Sequence, residues 1–203
     1  MLHKTLFFSI FRIILVFQTI KTGLVYGAEF ESFPKNIRQH LLSNNVYVLS
    51  EVDTQKGMQS LNFIAAGLHQ QTCKKAMKTI GYYERYQNHI GFVRKSEYRQ
   101  GRINLNLSST FIPFDMILNF KIPRISGIGR YEFIFDNGFL LNLKGEVLVK
   151  KYEKDKKYKC YIAMRAKWEG KKTKIPDYVF EVFTKTIGEI GLKKLFRISG
   201  HRF

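Results

Sequence analysis

Between residues 92 and 168, apolar and polar side chains alternate through six consecutive segments, and a single long amphipathic helix pattern follows at 176–199. Period-two alternation sends successive side chains to opposite faces of a strand. Six such segments joined by short turns make an antiparallel meander with one buried face and one wet face. The buried face needs a cover. The closing helix is the one large apolar object left to supply it.

The alternation is clearest at 158–168. There Tyr158, Cys160, Ile162, Met164, Ala166 and Trp168 point inward, and Arg165 and Lys167 point outward. Residues 102–112 carry Ile103, Leu105, Leu107 and Phe111 on one side, and 114–122 carry Met116, Leu118, Phe120 and Ile122. Tyr131, Phe133 and Phe135 line 130–136, and Leu141, Leu143, Val147 and Val149 line the next strand. Asn137-Gly138 predicts a tight hairpin, because both residues tolerate positive φ. Upstream, 61–68 reads as a strand, 70–80 as a helix capped by Thr72, and 82–90 as a short aromatic helix or turn. Residues 46–52 form a further strand candidate in a polar lead-in. These elements predict an α+β arrangement. A curved seven-stranded antiparallel sheet wraps a long C-terminal helix, with two short helices between strands 1 and 2.

In the closing helix, Pro176 suits the first helical position. Asp177 and Glu181 near its start, and Lys193, Lys194 and Arg197 near its end, match the helix dipole. Val179, Phe183, Ile187 and Ile190 make one apolar face, flanked by Phe180 and Val182. Gly188 and Gly191 cost helix propensity, which points to a group approaching the backbone there.

Residues 1–27 have a short basic start, an apolar run interrupted by Arg12, and a compact end at Val25-Tyr26-Gly27. This is the layout of a cleaved secretory signal; an uncleaved anchor is the alternative. The expected organisation is therefore a signal at 1–27, an N-terminal extension at 28–59 and one domain at 60–203, in a periplasmic or secreted protein. The formal charge is +18, of which Lys4, Arg12 and Lys21 supply three, leaving +15 after cleavage. Outside the cytoplasm that charge suits an anionic membrane surface rather than nucleic acid. A solvated basic surface without a partner is the plainer reading. Lys144, Lys150, Lys157, Lys159, Arg165 and Lys167, with Lys171, Lys172 and Lys174, are expected to form one wet basic face. Cys73 and Cys160 show no metal spacing. Two buried thiols is the plainer reading of the pair; a disulfide is the alternative open to an oxidising compartment.

The order of elements, and the stretches AGLHQQTCKKAMKTIGYYERYQNHIGFVRKSEY (66–98), GFLLNLKGEVLV (138–149) and IPDYVFEVFTKTIGEIGLKKLF (175–196), resemble the START-like superfamily, also called SRPBCC or helix-grip. Within it the resemblance is to the polyketide cyclase/dehydrase and coenzyme Q-binding protein type. It covers about residues 60–198, and Gly81-Tyr82-Tyr83-Glu84-Arg85-Tyr86 departs from the more acidic aromatic segment usual there. The resemblance implies a lipid, quinone or other hydrophobic small molecule bound between sheet and helix. The expected lining is Phe180, Phe183 and Ile187 on the helix, with Phe120, Phe133, Leu143, Met164 and Trp168 on the sheet. For each of these, plain core packing is the alternative.

A cyclase-like enzyme would need an acid–base group facing the cavity. Tyr131, Tyr158, Ser109 and Arg94 are the polar candidates, and His69 and His89 bracket the short helices. No histidine lies in a metal spacing and no glycine-rich phosphate loop is present. Non-catalytic binding, with no cofactor and no metal, is therefore the expected function. Neither the ligand nor the oligomeric state can be read from the residues.

Overall fold

The computed structural model describes residues 28–108 and 116–203; the expected signal, Phe111 and Ser109 lie outside these. From Ala28 a strap with a 3-10 turn at Phe30–Ser32 leads to α1 (Lys35–Leu42). Strands β1 (Val46–Gln55) and β2 (Met58–His69) follow as a hairpin. Next come α2 (Cys73–Ile80), a 3-10 turn (Tyr83–Arg85) and α3 (Tyr86–His89). Strands β3 (Val93–Arg99), β4 (Arg102–Leu107), β5 (Met116–Lys121), β6 (Gly129–Gly138), β7 (Lys144–Lys151) and β8 (Cys160–Lys171) form the meander, and α4 (Asp177–Ile198) ends the element order. The eight strands lie in the order β1-β2-β8-β7-β6-β5-β4-β3, antiparallel throughout. This is the expected α+β helix-grip class.

The sheet has eight strands where seven were expected. The addition is β1, which falls within the 28–59 stretch and pairs with β2 along its whole length. Its hairpin turns at Lys56 (φ 50°) and Gly57 (φ 78°), and the β3–β4 hairpin turns the same way at Gln100 (φ 50°) and Gly101 (φ 77°). Positive φ at both turn residues matches the right-handed twist of paired strands. Asn137-Gly138 does not turn the chain; both residues continue β6, and Gly138 pairs with Leu118 of β5. A Cβ at Gly138 would lie 2.4 Å from the Ile117 carbonyl oxygen, so this glycine serves strand approach. The chain reverses further on, where Leu140 and Asn142 take positive φ.

The inner face carries Phe63, Ala65, Phe133, Val149, Ile162, Ala166 and Trp168 against Phe180 and Phe196 of α4. Tyr158 departs from the expected inward row. It precedes β8 and turns to the outer face, where its hydroxyl donates to the Leu42 carbonyl at 3.0 Å. That outer face is not uniformly wet. Phe30, Phe33 and Leu41 of the strap and α1 cover Ile64, Leu68, Leu148 and Tyr161. Each such side chain contributes about 1.5–3 kcal/mol when removed from water. The Tyr161 hydroxyl donates to the Ala28 carbonyl at 2.7 Å. The sequence hid this cover because 28–45 lacks a clean period, and because the outer residues of β2 are apolar like the inner ones. Cys73 and Cys160 form a disulfide, not two thiols, and it ties the start of α2 to the start of β8.

Candidate functional site

Helix α4 leans toward β1 and β2 rather than lying centrally over the sheet. The N-terminus of the helix is fixed by tertiary contacts. Pro176 is the residue before the helix and offers no side-chain cap. Asp177 Oδ1 accepts hydrogen bonds from Thr54 Oγ1 and Gln59 Nε2, each at 2.7 Å. Those bonds hold the Asp177 carboxyl below its ordinary range. Gln59 is fully buried, and its Oε1 accepts from the Thr173 backbone N–H and hydroxyl. Further along, Thr184 Oγ1 lies 2.6 Å from Ser50 Oγ. The Phe63 ring packs directly on Gly188, which is the close approach its residue type predicts.

This tilt changes the role of the apolar helix face. Val179 and Ile190 are 43% and 47% exposed, and Phe183 and Ile187 are half-buried. The fully covered aromatic positions are Phe180 and Phe196. The predicted stripe therefore borders the space between α4, whose sheet contacts are concentrated on β1 and β2, and strands β4–β8, and this space is the candidate cleft. Met164 and Val147 are cross-strand partners on the inner face, and both are half-buried. Leu105, Leu118 and Phe120 on β4 and β5 are half-buried as well.

The structure divides the eight expected lining residues into two groups. Phe133, Leu143, Trp168 and Phe180 are buried in the main core. The Trp168 indole N–H donates to the Leu141 carbonyl at 3.0 Å, and its ring meets Phe180 edge-on at 6.0 Å. Phe120, Met164, Phe183 and Ile187 are half-buried and border the cleft. Phe120 stacks on Phe135 at 4.8 Å. The sequence did not mark Phe139 or Tyr86, which join this lining from a turn and from α3.

The polar groups near the cleft are committed to backbone partners. Tyr83 donates to the Pro123 carbonyl at 3.1 Å and accepts from the Ile125 N–H at 3.2 Å. Tyr86 donates to the Ile80 carbonyl at 2.6 Å, and Tyr131 to the Gly127 carbonyl at 3.1 Å. Burial pushes the Tyr83 and Tyr86 phenols up, so they remain protonated donors. Arg94 is exposed on β3. Among the described residues no group of His, Cys, Asp or Glu is placed to hold a metal ion.

His69 and His89 do not share a site. His69 is fully buried beneath the end of α4, its Nε2 2.9 Å from Ser199 Oγ and its Nδ1 accepting the Gln71 N–H at 3.0 Å. An Nδ1 acceptor leaves the proton on Nε2, so His69 donates to Ser199 and cannot act as its base. The Ser199 hydroxyl donates to the Leu195 carbonyl at 2.7 Å. This Ser–His pair locks the chain terminus. His201 is also buried, with its ring 5.2 Å from that of His69.

A second groove crosses the outer face of the sheet, lined by Glu51, Asn62, Lys144, Glu146, Arg165 and Lys167 among others. Its charges are of both signs, so the lysines and arginines of the expected basic face share it with Glu51 and Glu146. Glu146 pairs with Arg165 at 2.9 Å and with Arg130, and Glu29 pairs with Lys150 at 2.5 Å.

No family model matches the chain, and no curated protein matches it in sequence. Solved structures similar to it include the following three. The protein XoxI from Bacillus cereus is 11% identical, with a TM-score of 0.48 over 68% of this chain and 94% of that one. An uncharacterized protein from Bacillus thuringiensis is 11% identical, with a TM-score of 0.48 over 68% and 98%. Ara h 8.0201 is 14% identical, with a TM-score of 0.48 over 69% and 97%. At these identities the likeness concerns the fold.

Proposed function

We propose that this protein binds a hydrophobic small molecule, of the lipid or quinone kind, in the cleft between α4 and strands β4–β8, without catalysis. The observation that carries this reading is the half-burial of Met164, Val147, Leu118, Phe120, Phe183 and Ile187, which fringe the core clusters between α4 and strands β4–β8. Apolar groups left partly open on a concave face gain when a ligand removes them from water, at about 25 cal/mol per Å². Sites of this kind are mostly apolar with few polar groups. The resemblance of 60–198 to the START-like superfamily, and to its polyketide cyclase/dehydrase and coenzyme Q-binding type, supports the same reading. An extracytoplasmic location is part of the proposal. The signal pattern at 1–27 supports it, as does the disulfide, since such bonds persist in oxidising compartments.

A neutral fluorescent naphthylamine probe tests the cleft. Its emission should rise on mixing with residues 28–203 and fall on adding a long-chain alcohol or a quinone. Met164→Gln should weaken the probe while leaving the melting temperature within a few degrees. Emission unchanged by the protein would overturn the reading.

A further inference from the structure

We propose that the α4 C-terminal end of this cleft holds an anion site for a phosphate group, formed by Lys78, Arg85 and His89. The inference deepens the cleft reading by adding a polar end to its ligand.

A small notch of about 60 Å³ lies between α2, α3 and the last turn of α4, lined by Lys78, Arg85, His89, Tyr82, Tyr86 and Ile198. It has room for a few waters or one compact oxyanion. Among the described residues no carboxylate lines it. The nearest acid in sequence, Glu84, is paired with Arg124 at 2.5 Å, and Arg85 also helps hold its carboxyl below the ordinary range. Arg85 and His89 are four residues apart and so project from the same side of their short helical run. The Arg85 guanidinium sits 5.0 Å over the Tyr82 ring, which limits its freedom without using its N–H donors on an acid.

Three carbonyls near the notch already accept hydrogen bonds. Ile80 O accepts the Tyr86 hydroxyl, Gly81 O accepts Arg124 at 2.8 Å, and Thr79 O accepts the Tyr82 N–H at 3.1 Å. The wider surroundings have the same sign. Residues 70–95 hold six lysines and arginines and one acid, and residues 193–203 hold four and none. Unpaired cations grouped without a carboxylate favour an anion through charge-assisted hydrogen bonds, and arginine suits a phosphate fork.

Tyr86 joins the two sites. It lines the notch, and it also packs against the cluster of Ile90, Val93, Leu107 and Met116 that Phe183, Ile187 and Leu195 border. A molecule with an apolar chain in the cleft would place its head group beside Lys78 and Arg85. The group recognised is a phosphate oxyanion, whether free or on an alkyl chain.

Calorimetric titration of residues 28–203 with inorganic phosphate, dodecyl phosphate and dodecanol tests this. Dodecyl phosphate should bind at least about tenfold more tightly than dodecanol, as one charge-assisted contact set provides. The double variant Lys78→Gln/Arg85→Gln should lose that preference and keep its affinity for dodecanol. Equal affinity for the two amphiphiles, or a preference that survives the double variant, would overturn the anion site and leave the cleft reading standing. Phosphate binding that depends on Lys78 and Arg85, with no binding of dodecanol, would support the anion site as a site for free phosphate and defeat the cleft reading instead.

Discussion

The ring of Phe63 occupies the space that a Cβ on Gly188 would need: that atom would lie 2.6 Å from the ring's Cζ and 3.3 Å from Val48 Cγ1. The contact sets how closely α4 approaches β1 and β2, and so how much of the sheet it leaves uncovered. Gly188→Ala gains about 1 kcal/mol of helix propensity but overpacks a buried ring, which costs about 1–3 kcal/mol. The net expectation is a loss of about 1 kcal/mol. At Gly191 the nearest atom to a new Cβ is Phe92 Cζ at 3.9 Å. Gly191→Ala should therefore stabilise by up to about 1 kcal/mol. Urea unfolding of both variants checks the opposite signs, and a gain at both positions would show that α4 is not seated on Phe63.

The Cys73–Cys160 disulfide spans 87 residues of sequence. Closing a loop of that size in the unfolded chain stabilises the fold by about 2–4 kcal/mol. Cys73→Ser/Cys160→Ala should lower the urea midpoint accordingly, and a reducing agent should lower the wild type to the same level. A reductant with no effect on the wild type would contradict the bond's contribution.

The two buried histidines predict a pH window. Burial, with His69 and Lys157 nearby, holds the His201 imidazole down to about 4, and burial also lowers His69. Both are neutral in the fold at pH 7, while the unfolded chain takes up protons near the ordinary value of about 6.5. Their contribution is therefore fully present above about 6.5 and is lost progressively as the pH falls toward 4. Asp177 and Glu84, whose carboxyls are lowered by their hydrogen bonds, lose theirs below about 4. Melting temperatures at pH 7.5 and 5 thus isolate the histidines. The wild type should lose several degrees across that interval and His201→Asn fewer; an identical drop in both would refute the assignment.

Much of this was legible in the residues, and the exceptions have physical causes. The β8 row from Cys160 to Trp168 reads correctly because strand period and burial agree. Tyr158 breaks the row because the ladder begins only at Cys160, and its hydroxyl finds a carbonyl on the other face. The α4 stripe of Val179, Phe183, Ile187 and Ile190 is a true apolar face, yet helical period alone cannot say whether such a face is covered. The tight seating comes from Gly188 and Thr184, which carry little hydrophobic signal. Cys73 and Cys160 meet because β2 pairs with β8, leaving His69 opposite Cys160 just before α2 begins, and no local pattern encodes that pairing. Tyr86 and Phe139 reach the cleft from a short helix and a turn, where periodicity is too brief to read.

Charge in the cleft should exclude an apolar ligand without unfolding the protein. Phe183 is half-buried at the lip, so Phe183→Arg can extend its guanidinium to water while its stem lies on the apolar wall. The variant should keep the wild-type circular dichroism and lose probe binding by about tenfold or more. Unchanged binding would place the probe elsewhere on the molecule.

The most direct measurement is native mass spectrometry of residues 28–203 produced in a bacterial periplasm, before and after solvent extraction. The account predicts a bound hydrophobic species on the wild type that extraction removes, that can be reloaded from lipids or quinones, and that is missing from Phe183→Arg. A wild-type mass equal to the polypeptide alone, unchanged after incubation with lipids and quinones, would contradict it and mean that the cleft closes on itself in solution.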